Sequence, residues 1–379
     1  MYNISAYGKM IADAPRMDAY VSALLQAIKP DSVVVDLGCG PGFFAIVACR
    51  LGARRVFAIE PSAVIQIGRD AAREYGFNDR IEFVQDLSTK VTLPEKADVI
   101  VSDLRGVLPW FQQSITSIID ARTRFLRPGG ILIPRLDRLW AAVVEAPARY
   151  AEIVSPWEDN GNGVALNSGR GFVVNFWSKL RVSTESLLGQ AVVWHELDYE
   201  RVEDANICKD ISLRVARRGT AHGLAIWFDS ELLDGTGFSN APGSAELIYG
   251  QGFFPFEQPL EVAAGDRVEV RLEARVIGDD YVWRWDTALV SQEKVKCRFK
   301  QSTLFGTPLS PVQLRKRAGR YVPHVNNEGA IARFVLSKMD GKISNEQIAV
   351  ELVTQFPSQF RNQNDALDLV TEISEKFSG

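Results

Sequence analysis

Residues 33–50 read VVVDLGCGPGFFAIVACR. The first residues form a nearly continuous β-branched, apolar run, the pattern of a strand buried on both faces. Asp36 stands near the end of that run. Gly38, Gly40 and Gly42 then lead into an apolar helical stretch. Glycines in such a turn accept positive φ and let a ligand approach the backbone closely. A strand, a glycine turn and a helix in this order predict the entry to a nucleotide-binding α/β domain.

The flanking sequence repeats the pattern. RVFAIE (55–60), IEFVQ (81–85), DVIVSD (98–103) and GILIP (130–134) read as further buried strands, with helical stretches such as AVIQIGRDAAREYG between them. Alternation of this kind predicts a parallel sheet with helices on both faces, a Rossmann-like domain over residues 1–134. From residue 135 to about 305 the texture changes to short alternating segments: LWAAVVEA, GFVVNFW, QAVVWHEL, GLAIWFDSEL, DRVEVRLEARV and YVWRWDTALV. Turn-formers such as DNGNG, DGTG and AAGD separate them. These predict an antiparallel β-barrel. Residues 306–379 turn helical. Ser344 and Gln347 form a capping-box signature. Two apolar stripes follow, one through Ile348, Ala349, Leu352, Val353 and Phe356, the other through Ala366, Leu369, Val370, Ile373 and Phe377.

A chain of 379 residues exceeds one ordinary core, which agrees with this division. Its formal charge of -4 argues against general nucleic-acid binding. No apolar run reaches spanning length, and MYNISAYGKMIADAPR lacks an apolar signal core, so a cytoplasmic protein is expected. The four cysteines have no CxxC spacing and there are three histidines, so no zinc site is expected. Cys39 reads as a small filler of the glycine loop rather than a reactive thiol.

The loop indicates its ligand. An acid opens it, which suits the sulfonium and ammonium of S-adenosylmethionine and would repel a pyrophosphate. Glu60, at the tip of the next strand, can accept both hydroxyls of a ribose. Asp86 follows the third strand, where an acceptor can meet an adenine amino group, and Leu87 beside it joins the same cofactor-binding set. The plain alternative is a structural turn in some other doubly wound fold.

DLGCGPG, with Glu60 downstream, resembles the class I S-adenosylmethionine-dependent methyltransferases, and within them the protein arginine methyltransferases. YGKMIADAPRMDAY resembles that family's N-terminal cofactor lid. RFLRPGGILIPRLDRLWAAVVE resembles its crossing into the barrel, and HGLAIWFDSELLDGTGFS a barrel segment. The resemblance spans roughly residues 5–290. It implies that Met10 lies near the sulfonium, that Asp13 orients the lid, and that Arg16 holds the methionine carboxylate.

At the acceptor end the pattern departs. The family places two glutamates on a hairpin after the fourth strand, and a carboxylate pair suits a planar guanidinium. SDLRGVLPWFQ aligned with that hairpin puts Asp103 at the first glutamate and Gln112 at the second. The family's Thr-His-Trp barrel turn aligns with Leu247, Ile248 and Tyr249. Glu246 offers either a replacement acid or a surface charge. Arg105 is read either as a binder of an acceptor's carboxylate or as a salt-bridge partner of Asp103 or a nearby acid. Trp110 is read as a pocket wall or a core residue.

The expected function is therefore methyl transfer to a peptide or protein side chain, with Asp103, Gln112 and Arg105 around the acceptor. Two alternatives stay open: a small molecule or free amino acid as acceptor, and an inactive methyltransferase-fold partner. The C-terminal segment resembles part of the PqqD-like domains, which implies capture of a leader peptide, although the strands that usually receive the leader are not evident. A packing appendage or dimer contact is the alternative. The family resemblance implies a homodimer, but WEDNGNGVALNSGRG shows no clear helical pair for its dimer arm.

Overall fold

A computed structural model describes residues 3–159 and 161–378. Two helices lead, α1 (Ile4–Ile11) and α2 (Ala14–Ala27). The α/β part then runs β1 (Val33–Leu37), α3 (Phe43–Arg50), β2 (Arg55–Ile59), α4 (Ile65–Glu74), β3 (Ile81–Val84), β4 (Ala97–Ser102), α5 (Ser114–Arg124) and β5 (Leu126–Ile133). Its five strands are parallel in the order β3-β2-β1-β4-β5. All five residues of β1 are buried, as expected of a strand covered on both faces. Val34 joins the core under α2 and α3, while Val33, Val35 and Leu37 enter the core on the other face.

The second part continues with β6 (Leu136–Val144), α6 (Pro147–Glu158), α7 (Arg170–Val173), β7 (Ser178–Leu180), β8 (Val192–Asp198), β9 (Ile207–Arg214), β10 (Gly219–Leu233) and β11 (Thr236–Ser239). It ends with β12 (Gln251–Val262), β13 (Arg267–Ile277), β14 (Asp280–Ser291) and β15 (Lys294–Ser302). These strands form two antiparallel sheets, β7-β12-β10-β6-β8 with β11 beside β10, and β15-β14-β13-β9. The inner faces share one apolar core. Trp283 and Trp285 of one sheet meet Phe254 of the other at ring separations of 5.2 and 5.3 Å. Among the described residues no hydrogen-bonded ladder joins the sheets, so the domain is barrel-like rather than a closed barrel.

Three expectations change here. GFVVNFW forms the short helix α7 and a turn, not a strand. The arm segment does hold helices: α6 runs through Pro156 to Glu158, and α7 follows a 3-10 turn at Asn167–Gly169. The first two parts are not separate cores either. Val35 and Phe57 of the parallel sheet belong to the same core as Leu139 and Phe254 of the antiparallel part. The chain therefore divides into two compact units, Met1–Pro308 and Leu309–Gly379.

The second unit contains α8 (Pro311–Arg317), α9 (Asn327–Lys338), α10 (Asn345–Gln355) and α11 (Gln363–Phe377). Ser344 and Gln347 form the anticipated capping box. Ile348, Ala349, Leu352, Ala366, Val370 and Ile373 join Ile331 and Val335 in its core. The second stripe ends at Ile373, since Phe377 is exposed. Among its described residues this unit has no strand. No described helix is long and apolar enough to cross a membrane.

Trp283→Ala removes a fully buried indole from the meeting of the two sheets. It should cost about 3–5 kcal/mol. Urea unfolding should show a lowered midpoint with little change in slope.

Candidate functional site

In a parallel sheet the C-terminal ends of the strands lie along one edge, where α/β folds bind ligands. Strand order therefore sets out the candidate residues in a row. Asp86 and Leu87 follow β3, Glu60 follows β2, the glycine turn follows β1 and Asp103 follows β4. Residues scattered over nearly seventy positions of sequence become neighbours through topology alone.

The glycine turn has the expected backbone. Gly38, Gly40 and Gly42 have φ of 71°, 52° and 79°. A Cβ on Gly40 would come within 2.8 Å of the Tyr7 ring of α1, so with its positive φ this position favours glycine. The Glu60 carboxylate accepts from the Gly40 and Ser62 amides at 3.2 and 2.9 Å, which ties the tip of β2 to the turn. Cys39 is a buried filler, and burial pushes its thiol well above the usual range.

Asp36 is tied to the helix that the turn enters. It is 1% exposed and accepts from the Ala45 amide at 2.9 Å, satisfying an otherwise orphaned N–H in the first turn of α3. Burial, opposed by that N–H and reinforced by Glu60, pushes its carboxyl up to about 7. Asp36 therefore builds the turn. Asp86 and Leu87 are exposed, and the Asp86 carboxylate accepts from the Leu87 amide at 2.7 Å.

At the other end of the row lies a buried ionic network. Arg16 of α2 donates through Nε to Asp103 Oδ2 at 2.7 Å, and its Nη2 donates to the same oxygen. Its Nη1 donates to the Met10 carbonyl at 2.8 Å. The Tyr249 hydroxyl lies 2.7 Å from both Asp103 oxygens and accepts from Arg16 Nε at 3.0 Å. Arg105 Nε is 3.4 Å from Asp103 Oδ1. Burial alone would raise the Asp103 carboxyl. Arg16, Arg105 and the Tyr249 hydroxyl outweigh it and hold the group below the usual carboxylate range.

Arg105 is a structural cation. Its side chain is 2% exposed, and its Nη1 donates at 2.8 Å to both Asp137 Oδ1 and Ser230 Oγ. Tyr199 donates to the other oxygen of Asp137 at 2.7 Å. Burial opposes the Arg105 charge, but Asp137 and the surrounding phenols keep it protonated. The salt-bridge reading therefore replaces that of a free binder of carboxylates, because its donors face Asp137, Ser230 and Tyr20.

Gln112 takes no part in the hydrogen bonds of Asp103. It is exposed, its backbone is left-handed with φ 48°, and its amide donates to Asp280 at 3.0 Å. Trp110 is a core residue, 2% exposed, against Trp194 and Trp283. Glu246 is exposed and paired with Arg181. A groove of about 370 Å³ lies on the β9–β13–β14–β15 sheet, lined by Asp210, Arg271, Asp286 and Lys300 among others. It shares no residue with the row described above.

Asp137, Ser230 and the role of Tyr249 were not anticipated. A signal existed for two of them. Asp137 falls in the inward phase of β6 with Leu139, Ala141 and Val143, and Ser230 in the inward phase of β10 with Phe228 and Ile226. A polar residue at an inward position needs a partner.

Two family models match the chain. One, described as ribosomal protein L11 methyltransferase (PrmA), covers residues 18–160. The other, the arginine methyltransferase oligomerization subdomain, covers residues 137–286. The first match spans the parallel sheet and its glycine turn, so this part of the chain is similar to a class of methyltransferases. Within that class, the chain is similar to the protein arginine methyltransferases. "Probable protein arginine N-methyltransferase 6" of Arabidopsis thaliana is 28% identical over 265 residues, covering 66% of this chain and 59% of the relative. "Probable histone-arginine methyltransferase CARM1" of Oryza sativa subsp. indica is 32% identical over 280 residues, covering 69% and 53%. The chain therefore spans less than two thirds of the length of either relative. The fold matches a chain of the "Trypanosoma brucei PRMT1 enzyme-prozyme heterotetrameric complex with AdoHcy", with a TM-score of 0.70 at 20% identity. That match covers 78% of this chain and 96% of the other.

The residues fit S-adenosylmethionine. The loop glycines leave bare backbone at the strand ends, and Glu60, 9% exposed, offers a carboxylate to a ribose diol. Arg16, for which the resemblance implies the methionine carboxylate as partner, has Nε and Nη2 on Asp103 and Nη1 on the Met10 carbonyl.

The Asp103 pair makes stability depend on pH. The folded carboxyl lies below its unfolded value of about 3.9, so its contribution is complete above that value and is lost as pH falls through the folded one. Asp103→Asn leaves Arg16 buried without its partner and should cost about 3–5 kcal/mol near pH 6. The difference from the parent protein should shrink toward pH 2, read by urea unfolding at each pH.

Proposed function

We propose that this chain is a methyltransferase that moves the methyl group of S-adenosylmethionine to a nitrogen of a peptide or protein side chain, with arginine the acceptor suggested by its relatives' names. The observation that carries this reading is the row of strand ends. A glycine turn and a ribose-binding carboxylate stand beside a buried, ionised acid, under a lid tied to that acid by Arg16.

When bound, S-adenosylmethionine supplies an electrophilic methyl on a sulfonium. In this reading Gly38, Gly40 and Gly42 admit it to the backbone, Asp36 holds the turn in shape, and Glu60 accepts the ribose hydroxyls. Asp86 and Leu87 border the adenine, while Met10 and Arg16 close over the methionine end. Asp103 orients the acceptor nitrogen for in-line attack. The bound group would supply the methyl for a new nitrogen–carbon bond and leave as a neutral thioether, and the nitrogen would release one proton. Much of the acceleration of such a displacement can come from positioning.

A second reading, in which a smaller or neutral acceptor is methylated, is favoured by one observation. Asp103 already has two arginine neighbours and a tyrosine, and Gln112 supplies no second acid. Selection of a peptide by the C-terminal unit, a homodimer and a cytoplasmic location belong to the proposal as well. The separate compact core of residues 309–379 supports a distinct role for that unit.

The test is methyl transfer from isotope-labelled S-adenosylmethionine to arginyl and lysyl peptides, read by mass spectrometry. Labelled side-chain nitrogen is expected, and the reading fails if no peptide acquires label. Asp103→Ala should bind the cofactor and lose turnover. Glu60→Ala should weaken cofactor binding by about 1.5–3 kcal/mol, the usual worth of hydrogen bonds to a charged group. Calorimetry checks both.

A further inference from the structure

Tyr249 is 5% exposed and sits in the turn that leads into β12. Its ring stacks on Phe238 at 5.8 Å, nearly parallel, and meets the edge of Phe228 at 5.3 Å. Its turn is fixed on either side. Gly250 follows with φ 58°, the Ile248 amide donates to Asp13 at 2.7 Å, and Asn240 holds the Gly250 carbonyl. The phenol has little freedom to leave.

A single atom 2.7 Å from both oxygens of a carboxylate stands astride its open edge. Two parallel N–H groups of a guanidinium occupy that edge in a bidentate pair. Arg16 already takes Oδ2 with two donors, and Arg105 approaches Oδ1. A carboxylate has about four lone-pair sites, so little capacity remains. Charge points the same way. Arg16 and Arg105 balance Asp103 and Asp137. A third buried guanidinium would have no acid of its own in this network, since Gln112 is neutral and takes no part in it.

We propose that Tyr249 is the specificity-determining residue of the acceptor site. Its hydroxyl holds the open edge of Asp103, so the protein accepts one N–H there and excludes the two-pronged grip of a guanidinium. This rests on the reading of Asp103 as the group that orients the acceptor. Tyr249 acts through Asp103 and is neutral, so exchanging its hydroxyl for one substrate N–H moves no net charge.

The experiment compares the full chain with Tyr249→Phe on matched arginyl and lysyl peptides, with cofactor affinity measured alongside. Tyr249→Phe should raise kcat/KM for the arginyl peptide at least about fivefold, through KM, because an edge of Asp103 opens. The lysyl peptide should gain less than the arginyl one, because a single N–H takes only one of the two positions on that edge, and the cofactor Kd should stay within about twofold. An arginyl kcat/KM that is unchanged or lower, with cofactor binding retained, overturns the proposal. If Tyr249→Phe fails to bind cofactor, Tyr249→Leu carries the same comparison. Asp103→Ala separates the two layers. If it keeps full turnover, the reading of Asp103 fails. If it is inactive and Tyr249→Phe changes nothing, only the role of Tyr249 fails.

Discussion

The first unit is organised around a buried carboxylate that must not be left alone. Asp103 stands at the end of a central parallel strand, where desolvation would neutralise or expel an unpaired acid. Arg16, Arg105 and Tyr249 answer that requirement from three different parts of the chain: the lid helix, the loop after β4 and the antiparallel sheets. Arg105 extends the network to Asp137, Ser230 and Tyr199. Removing Asp103, Asp137, Arg16 or Arg105 leaves a charge short of a partner, so α2, the sheet edge and the barrel-like domain are coupled through electrostatics as well as apolar contact.

That coupling explains why the first two parts form one unit. The inner face of the parallel sheet and the inner faces of both antiparallel sheets share a single core. The site then lies along the strand ends, with rigid elements behind every functional side chain. Strand order does the rest, since β2, β1 and β4 are neighbours and place Glu60, the glycine turn and Asp103 side by side.

Much of this was legible in the chain. The parallel strands read correctly because residues buried on both faces leave an uninterrupted apolar run. The glycine turn read correctly because positive φ demands glycine there. The capping box at Ser344 is a local device with a local signature. GFVVNFW misled because a short apolar run serves a helix or a strand equally well, and its neighbours decide which. Asp36 has a local partner that the sequence did not reveal, the Ala45 amide in the first turn of α3. Barrel closure depends on ladders between distant strands, for which the alternating pattern of each strand carries no information.

The sequence by itself determined the α/β domain, its glycine turn, the run of antiparallel strands and the helical end, because each follows from local periodicity and backbone chemistry. Tertiary structure alone decided which charges are paired. Arg105 could have met a ligand or an acid, and Asp103 could have stood open. The partners that settle both, Asp137 and Tyr249, are separated from them by 32 and 146 positions. Hydrogen bonds over such distances are set by which strands become neighbours, and that is a property of the folded sheet order.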